Sequence, residues 1–398
     1  MEVEQQPRLS SYRWVILTIV CLMDVTSNYI QFQISALATQ IMPVLHISTA
    51  QFSSLLMAPM LVAVFLSIPA GSLADKFGAK KVVTVGCVIS IIGAYGRIIA
   101  NSFGMMMVML LMFGVYMAIL STNTIKIFGI WFKQDTNLAM GMFFASASIG
   151  ITLSQITGPL FSSVKAAYMF SSTVLLVLSV CWVLFIKDAP KGEKVPPSEP
   201  VTKYISVAIK SKKTWLVAIA SGIGQAASMS FTGILPQALT NGKTVPAASA
   251  GAMASVATIG SLLGAMFGPA IIGKLKKAKP LMITFIAISA FAMFLVWYAP
   301  VGGVLLLDLV IGGLFGAAAG PILQSMVISF PEIGPKYAGS AGGIVGMTST
   351  LLSWALPVIV SSIAGKNYAL IFMLQAILSV STALFVLALP DANKNRRQ

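Results

Sequence analysis

Charge is what this sequence has least of. Only 9% of its 398 residues are charged and 57% are hydrophobic, where a soluble domain carries about a quarter charged residues. So few ionisable groups cannot coat a water-exposed surface of this size, and most of that surface must meet lipid. Acid is scarcer still. Eleven Asp and Glu stand against 26 Lys and Arg, for a formal net charge of +15. In a soluble protein such an excess would suggest nucleic acid, but here its placement matters more than its sum, and no nucleic-acid partner is expected. One histidine and three cysteines give no metal-ligand cluster. Cys21, Cys87 and Cys181 all fall inside apolar runs, which argues against a disulfide framework.

Enzyme signatures are missing too. There is no HExxH and no GxSxG. The stretch from Gly268 to Leu275 comes close to a phosphate loop, but Leu275 stands where Ser or Thr must hold magnesium. No cofactor is expected, and any uphill work must draw on a proton or counter-solute gradient. No cleavable leader is expected either. The first apolar stretch, from Trp14, is too long and contains Asp24, so it reads as a retained helix.

What the chain does have is long apolar runs. A spanning helix needs about 20 mostly apolar residues. Twelve such segments are expected, at 13–41, 49–74, 80–101, 103–132, 136–163, 167–186, 214–241, 247–274, 280–298, 302–329, 337–364 and 367–389. The fold class is therefore an all-α polytopic membrane protein. The one long interruption, 187–213, is rich in Lys and Pro and divides the chain into halves, 1–186 and 214–398.

Basic residues follow the topology. With both termini placed in the cytoplasm, Lys165, Lys243 and Lys366 fall outside and Arg97 and Lys126 within helices, while the other Lys and Arg collect on the inner side. The halves also look duplicated. At an offset near 200 residues, Trp14 falls on Trp215, Asp24 on Gln225, Pro69 on Pro269, Gly114 on Gly312, Phe132 on Phe330 and Gly141 on Gly339.

The sharpest motif lies between the second and third segments: Gly71-Ser72-Leu73-Ala74-Asp75-Lys76-Phe77-Gly78-Ala79-Lys80-Lys81. Gly71 permits close helix approach, Gly78 a tight turn, and Asp75 can meet a basic group or a helix N-terminus. The plain alternative is a charged turn. The motif resembles the loop signature of the major facilitator superfamily. The run Asn123 to Phe132 followed by Ala139-Met140-Gly141-Met142 resembles that family's passage from helix 4 into helix 5. In the second half the loop near Gly273-Lys274-Leu275-Lys276-Lys277 keeps the bases and lacks the acid.

The resemblance implies two pseudo-symmetric six-helix bundles around a central cavity. It implies a monomeric secondary transporter of a small solute in the cell membrane, and Gly71, Asp75, Gly78, Lys80 and Lys81 as a conformational switch. Gly158-Pro159 is similar to an element of drug/proton antiporters but lacks its second glycine pair, so a simple kink is the better reading. The Ile68-Pro69-Ala70-Gly71 approach is similar to nitrate, nitrite and cyanate porters. The arginines that nitrate porters are expected to carry in helices 2 and 8 are missing here, which speaks against nitrate.

Polar groups inside the spans carry the remaining information, because a charge at a helix centre costs at least about 2.5–3.5 kcal/mol. Asp24, Asn28 and Gln31 form one stripe on helix 1, read either as cavity-lining or as a contact between helices. Asn123 and Lys126 share a stripe on helix 4. Lys126 either holds an anion or snorkels to the surface. From helix rise, Asp24 lies about 16 Å deep and Lys126 about 9 Å, close enough to pair. Gln225 and Gln324 are the second-half candidates. Arg97 and Asp308 lie near the outer ends of their helices and are candidate gates. His46 reads as a loop residue. Gly260, Gly264 and Gly268 read as a packing seam.

The leading function is movement of a small organic or inorganic anion. Efflux of lipophilic compounds is the alternative, and a membrane sensor on the same scaffold is the third.

Overall fold

A medium that offers no hydrogen bonds forces the backbone to close its own, which an α-helix does within one segment. The computed structural model describes residues 10–190, 205–274, 278–330 and 332–390. Among them no strand occurs, and 12 helices are long and apolar enough to cross a membrane. They are α1 (Arg13–Ala36), α2 (Thr49–Phe77), α3 (Ala79–Gly96), α4 (Phe103–Phe132), α5 (Thr136–Thr157), α6 (Val164–Phe185), α7 (Lys212–Lys243), α8 (Ala247–Lys274), α9 (Lys279–Tyr298), α10 (Gly303–Ala318), α11 (Gly334–Ala364) and α12 (Tyr368–Ala388).

Several starts are set by side chains that satisfy an orphan N–H of the first turn. Ser48 and Gln51 form a reciprocal capping box on α2. Ser102, Ser163, Ser211 and Asn367 accept from the third residue beyond them at the heads of α4, α6, α7 and α12.

The expected spans differ from these helices where the chain is broken. The first, drawn to residue 41, stops at Ala36, and a short helix Ala38–Leu45 ends at His46 with φ 50°. The fifth stops at Thr157, where Gly158–Leu160 tighten into a 3₁₀ turn. The tenth breaks at Ala319 and resumes as the short helix Gly320–Ser325. Of the expected connection 187–213, residues 191–204 lie outside the described residues, and Ile205–Lys210 is a short helix.

The packing repeats with an offset of six helices. In the first half α1 packs on α5 and α6, α2 on α4, and α3 on α4 and α6. In the second half α7 packs on α11 and α12, α8 on α10, and α9 on α10 and α12. The duplication read from scattered landmarks is thus a duplication of contacts. Across the halves α2 meets α11 and α5 meets α8, partners that exchange under the same repeat. The α8–α10 contact is the closest. A Cβ on Gly264 would overlap the carbonyl of Leu314, and one on Gly268 would lie 2.5 Å from the Cα of Ala318.

One face carries the first and last described residues, Ser10 and Pro390, and we call it the terminal face; the opposite one is the far face. Near the terminal face each half has its own buried core, around Phe128, Trp131 and Trp182 in the first and Met282, Leu323 and Phe330 in the second. Near the far face this separation ends. Met229 of α7 and Trp354 of α11 pack onto the first-half core of Phe32, Phe52 and Tyr168.

Candidate functional site

The halves are joined by a seam of small, neutral groups. Ser35 Oγ donates to the Gly233 carbonyl at 2.6 Å. The Ser53 and Ser361 hydroxyls lie 2.6 Å apart, as do those of Thr152 and Thr258. Gln155 Nε2 donates to the Thr232 carbonyl at 3.2 Å. A Cβ on Gly251 would overlap the Gln155 carbonyl, and one on Gly233 would overlap the Leu56 side chain, so both glycines are needed for this approach. These hydrogen bonds join the halves, and all lie in the far part of their helices. The ion pairs Arg13–Asp135 (2.7 Å) and Lys213–Glu332 (3.1 Å) lie on the terminal side, each within one half. The space between the halves is therefore closed at the far face.

A cavity of about 320 Å³ lies on the second-half side of that space. It is bordered by α7, α8, α9, the α10 break and α12, with Phe144 of α5 facing it from the first half. Both second-half candidates, Gln225 and Gln324, line it. The room comes from small residues, Ala220, Gly224, Gly316, Ala319 and Gly320 among them.

The first-half candidates do not meet there. Asp24 is buried, and its Oδ2 accepts from Ser146 Oγ at 2.7 Å while Oδ1 accepts from Asn28 Nδ2 at 3.3 Å. Asp24 and Asn28 of the α1 stripe are therefore turned toward α5. Both carboxylate oxygens have partners other than Lys126. Gln31 Nε2 donates to the Leu56 carbonyl at 3.1 Å and ties α1 to α2. Asn123 is buried and donates to its own helix at the Ile119 carbonyl. Thr122, one turn before Lys126, lies 3.6 Å from where a Gly71 Cβ would stand. That contact puts half-buried Lys126 at the level of the loop motif, away from the midplane.

The gate candidates lie apart from these seam contacts. Arg97 was expected near the far surface, but only 1% of it is exposed. Its Nε donates to the Ala94 carbonyl at 3.2 Å, one Nη to the Ile30 carbonyl at 3.4 Å and the other to Ser171 Oγ at 3.2 Å. Its guanidinium lies 4.4 Å from the Tyr168 ring centre. All of these partners belong to the first half, so Arg97 braces α1, α3 and α6 and does not reach the seam. Asp308 is half-buried on α10, with Oδ2 enclosed and unpartnered. It too makes none of the seam contacts.

In the loop motif, Gly78 has φ 88° and ends α2, while Lys81 is exposed. The side chain of Asp75 lies outside the described residues. A second acid, which the motif does not contain, reaches it. Asp188 Oδ1 accepts from the Lys80 backbone N–H at 2.8 Å, and Oδ2 lies 2.8 Å from where a Gly78 Cβ would stand. Asp188 thus caps the N-terminus of α3 from beyond α6, favourably placed against its dipole. The sequence offered no local sign of this contact, nor of Ser146.

The family model of the Major Facilitator Superfamily matches residues 15–358. A nitrite extrusion protein from Bacillus subtilis (strain 168) is 24% identical over 361 residues, 89% of each chain. A hexuronate transporter from Escherichia coli (strain K12) is 21% identical over 409 residues, spanning 95% of this chain and 94% of its own. Among solved structures, that of the nucleoside transporter NupG superposes with a TM-score of 0.75 at 16% identity, covering 94% of this chain and 99% of its own. With a family match over most of its length, twelve spans and a repeated six-helix packing pattern, the chain belongs to the major facilitator superfamily of transporters.

Proposed function

We propose that this transporter moves a small anion across the cell membrane by alternating access. The observation that carries the reading is that two relatives aligned along nearly their whole lengths are named for the transport of anions, nitrite in one case and hexuronate in the other. The far-closed seam supports a cycle in which the halves, 1–186 and 214–398, rock about a midplane site with 187–213 as their connection. The clustering of Lys and Arg near the termini supports a cytoplasmic terminal face, so the far seam is the outer gate in its closed state.

Roles follow from the contacts. Asp24, held by Ser146 and Asn28, is the candidate coupling group, and a proton or a counter-solute is the candidate driving gradient. Gln225 and Gln324 are the candidate solute contacts. The motif residues Gly71, Asp75, Gly78, Lys80 and Lys81 form the candidate switch. The protein works as a monomer.

The test is counterflow in proteoliposomes of purified protein, with labelled nitrate, glucuronate, a neutral hexose and a lipophilic cation offered in turn. The reading requires an anion to be taken up. Movement of only the neutral or cationic solute would refute it.

A further inference from the structure

The cavity in the second half is built for hydrogen bonds and not for charge. Among the described residues no ionisable side chain lines it, yet Ser221, Gln225, Ser228, Ser289, Gln324, Ser379 and Thr382 do. Polar groups inside a membrane protein normally find internal partners, because each unpaired one costs roughly 1–3 kcal/mol. Among the described residues the side chains of Gln225, Ser228, Gln324 and Ser379 make no hydrogen bond within the protein; Gln225 and Ser228 are half-buried and Gln324 is exposed, so these groups are open to a solute or to water. The buried hydroxyl of Ser221 is likewise unpartnered. Ser289 gives its proton to the Gly312 carbonyl at 3.0 Å, which leaves its lone pairs available to the cavity.

These side chains come from α7, α9, α12 and the segment after the α10 break, so no single helix accounts for their convergence. They present both donors and acceptors. A hydroxyl group on a solute needs both, since it donates one hydrogen bond and accepts others. A compact oxyanion only accepts, and it would leave most of a cavity of about 320 Å³ empty. The volume falls at the low end of ordinary small-molecule sites.

We infer that this cavity is the seat for the hydroxylated body of the solute, and that the transported anion is a polyhydroxylated carboxylate of sugar-acid type. The inference rests on the reading of the protein as an anion transporter and narrows it. A site that hydrogen-bonds solute hydroxyls discriminates strongly against analogues that lack them, because its own polar groups are then left unpaired. Gly320 sets the depth. It borders the cavity, and a Cβ built there meets no atom within 4 Å.

The test uses full-length protein in proteoliposomes, with counterflow of labelled D-gluconate and competition by D-galacturonate, lactate, nitrate and D-glucose. Gluconate and galacturonate should be carried, and should compete at least about tenfold better than lactate or nitrate. Ser228→Ala and Ser221→Ala should each raise KM for gluconate by about three- to tenfold. Gly320→Leu should abolish gluconate transport while the protein still folds and inserts.

Equal transport of nitrate, lactate and gluconate, with KM unmoved in the serine variants, would overturn the hydroxyl seat and leave the anion reading standing. Transport of glucose without gluconate would overturn the anion reading, and the sugar-acid assignment with it. Failure of a folded protein to carry gluconate or galacturonate would also overturn the assignment.

Discussion

Asp24 on α1 and Ser146 on α5 are joined by a hydrogen bond of 2.7 Å, buried in the first half and set at the middle of both helices. Asparagine can still accept from Ser146 through its carbonyl oxygen, so Asp24→Asn should fold and insert normally. If the carboxyl group couples transport to a gradient, uphill accumulation should fall at least about tenfold in that variant while downhill exchange continues. Ser146→Ala should impair the same step more mildly. A double-mutant cycle should show the two residues interacting. Uptake against a gradient and counterflow, measured side by side, separate these effects.

The hydroxyls of Ser53 and Ser361 touch across the far face. A cysteine at each position should therefore form a disulfide, since side-chain atoms this close permit the required geometry. Oxidised protein should be locked closed at the far face and inactive, and a reducing agent should restore transport. Transport unaffected by complete cross-linking would mean that the far face need not open.

Gly251 has room for hydrogen only, against the carbonyl of Gln155. Gly251→Leu should hold the far face open, raising the labelling of far-face cysteines and abolishing transport. Gly346→Ala, where a Cβ meets nothing within 4 Å, should change neither.

Asp188 caps α3 through the Lys80 N–H. Asp188→Ala should lower stability by about 1 kcal/mol, the usual worth of an N-cap, read as a drop in melting temperature. Asp188→Asn should recover most of it.

Orientation is tested by cysteine labelling. Ser211 is a poor site because it is a buried cap of α7, whereas Lys210 beside it is exposed. A cysteine at Lys210 should react only from the cytoplasm and one at Asn241 only from outside. Labelling of Lys210→Cys in intact cells by an impermeant reagent would invert the topology.

The twelve spans were legible because each needs only a window of apolar residues, and lipid removes the competing ways of burying them. The duplication was legible at Trp14 and Trp215 or Pro69 and Pro269, where like residues stand at like places in matching helices. What could not be read was azimuth. Counting residues put Arg97 at the right level of α3 but could not say that it turns inward onto Tyr168 and Ser171. Serines such as Ser221 and Ser289 look like packing residues in a helical sequence, and only convergence from separate helices makes them a lining. The cap on α3 comes from a residue 108 positions away, beyond the reach of any local pattern.

The far seam has one further consequence. It is made of hydroxyls, a carboxamide, backbone carbonyls and glycines, with no ionisable group among its contacts. Carrying one elementary charge across 100 mV changes the energy by about 2.3 kcal/mol, so a gate hung on ion pairs would feel the membrane voltage directly. The contacts of this one carry no net charge of their own. Any voltage sensitivity of the working protein then arises away from these contacts, in the solute, its companion ion or charges such as Asp24 and Arg97 that ride with the first half.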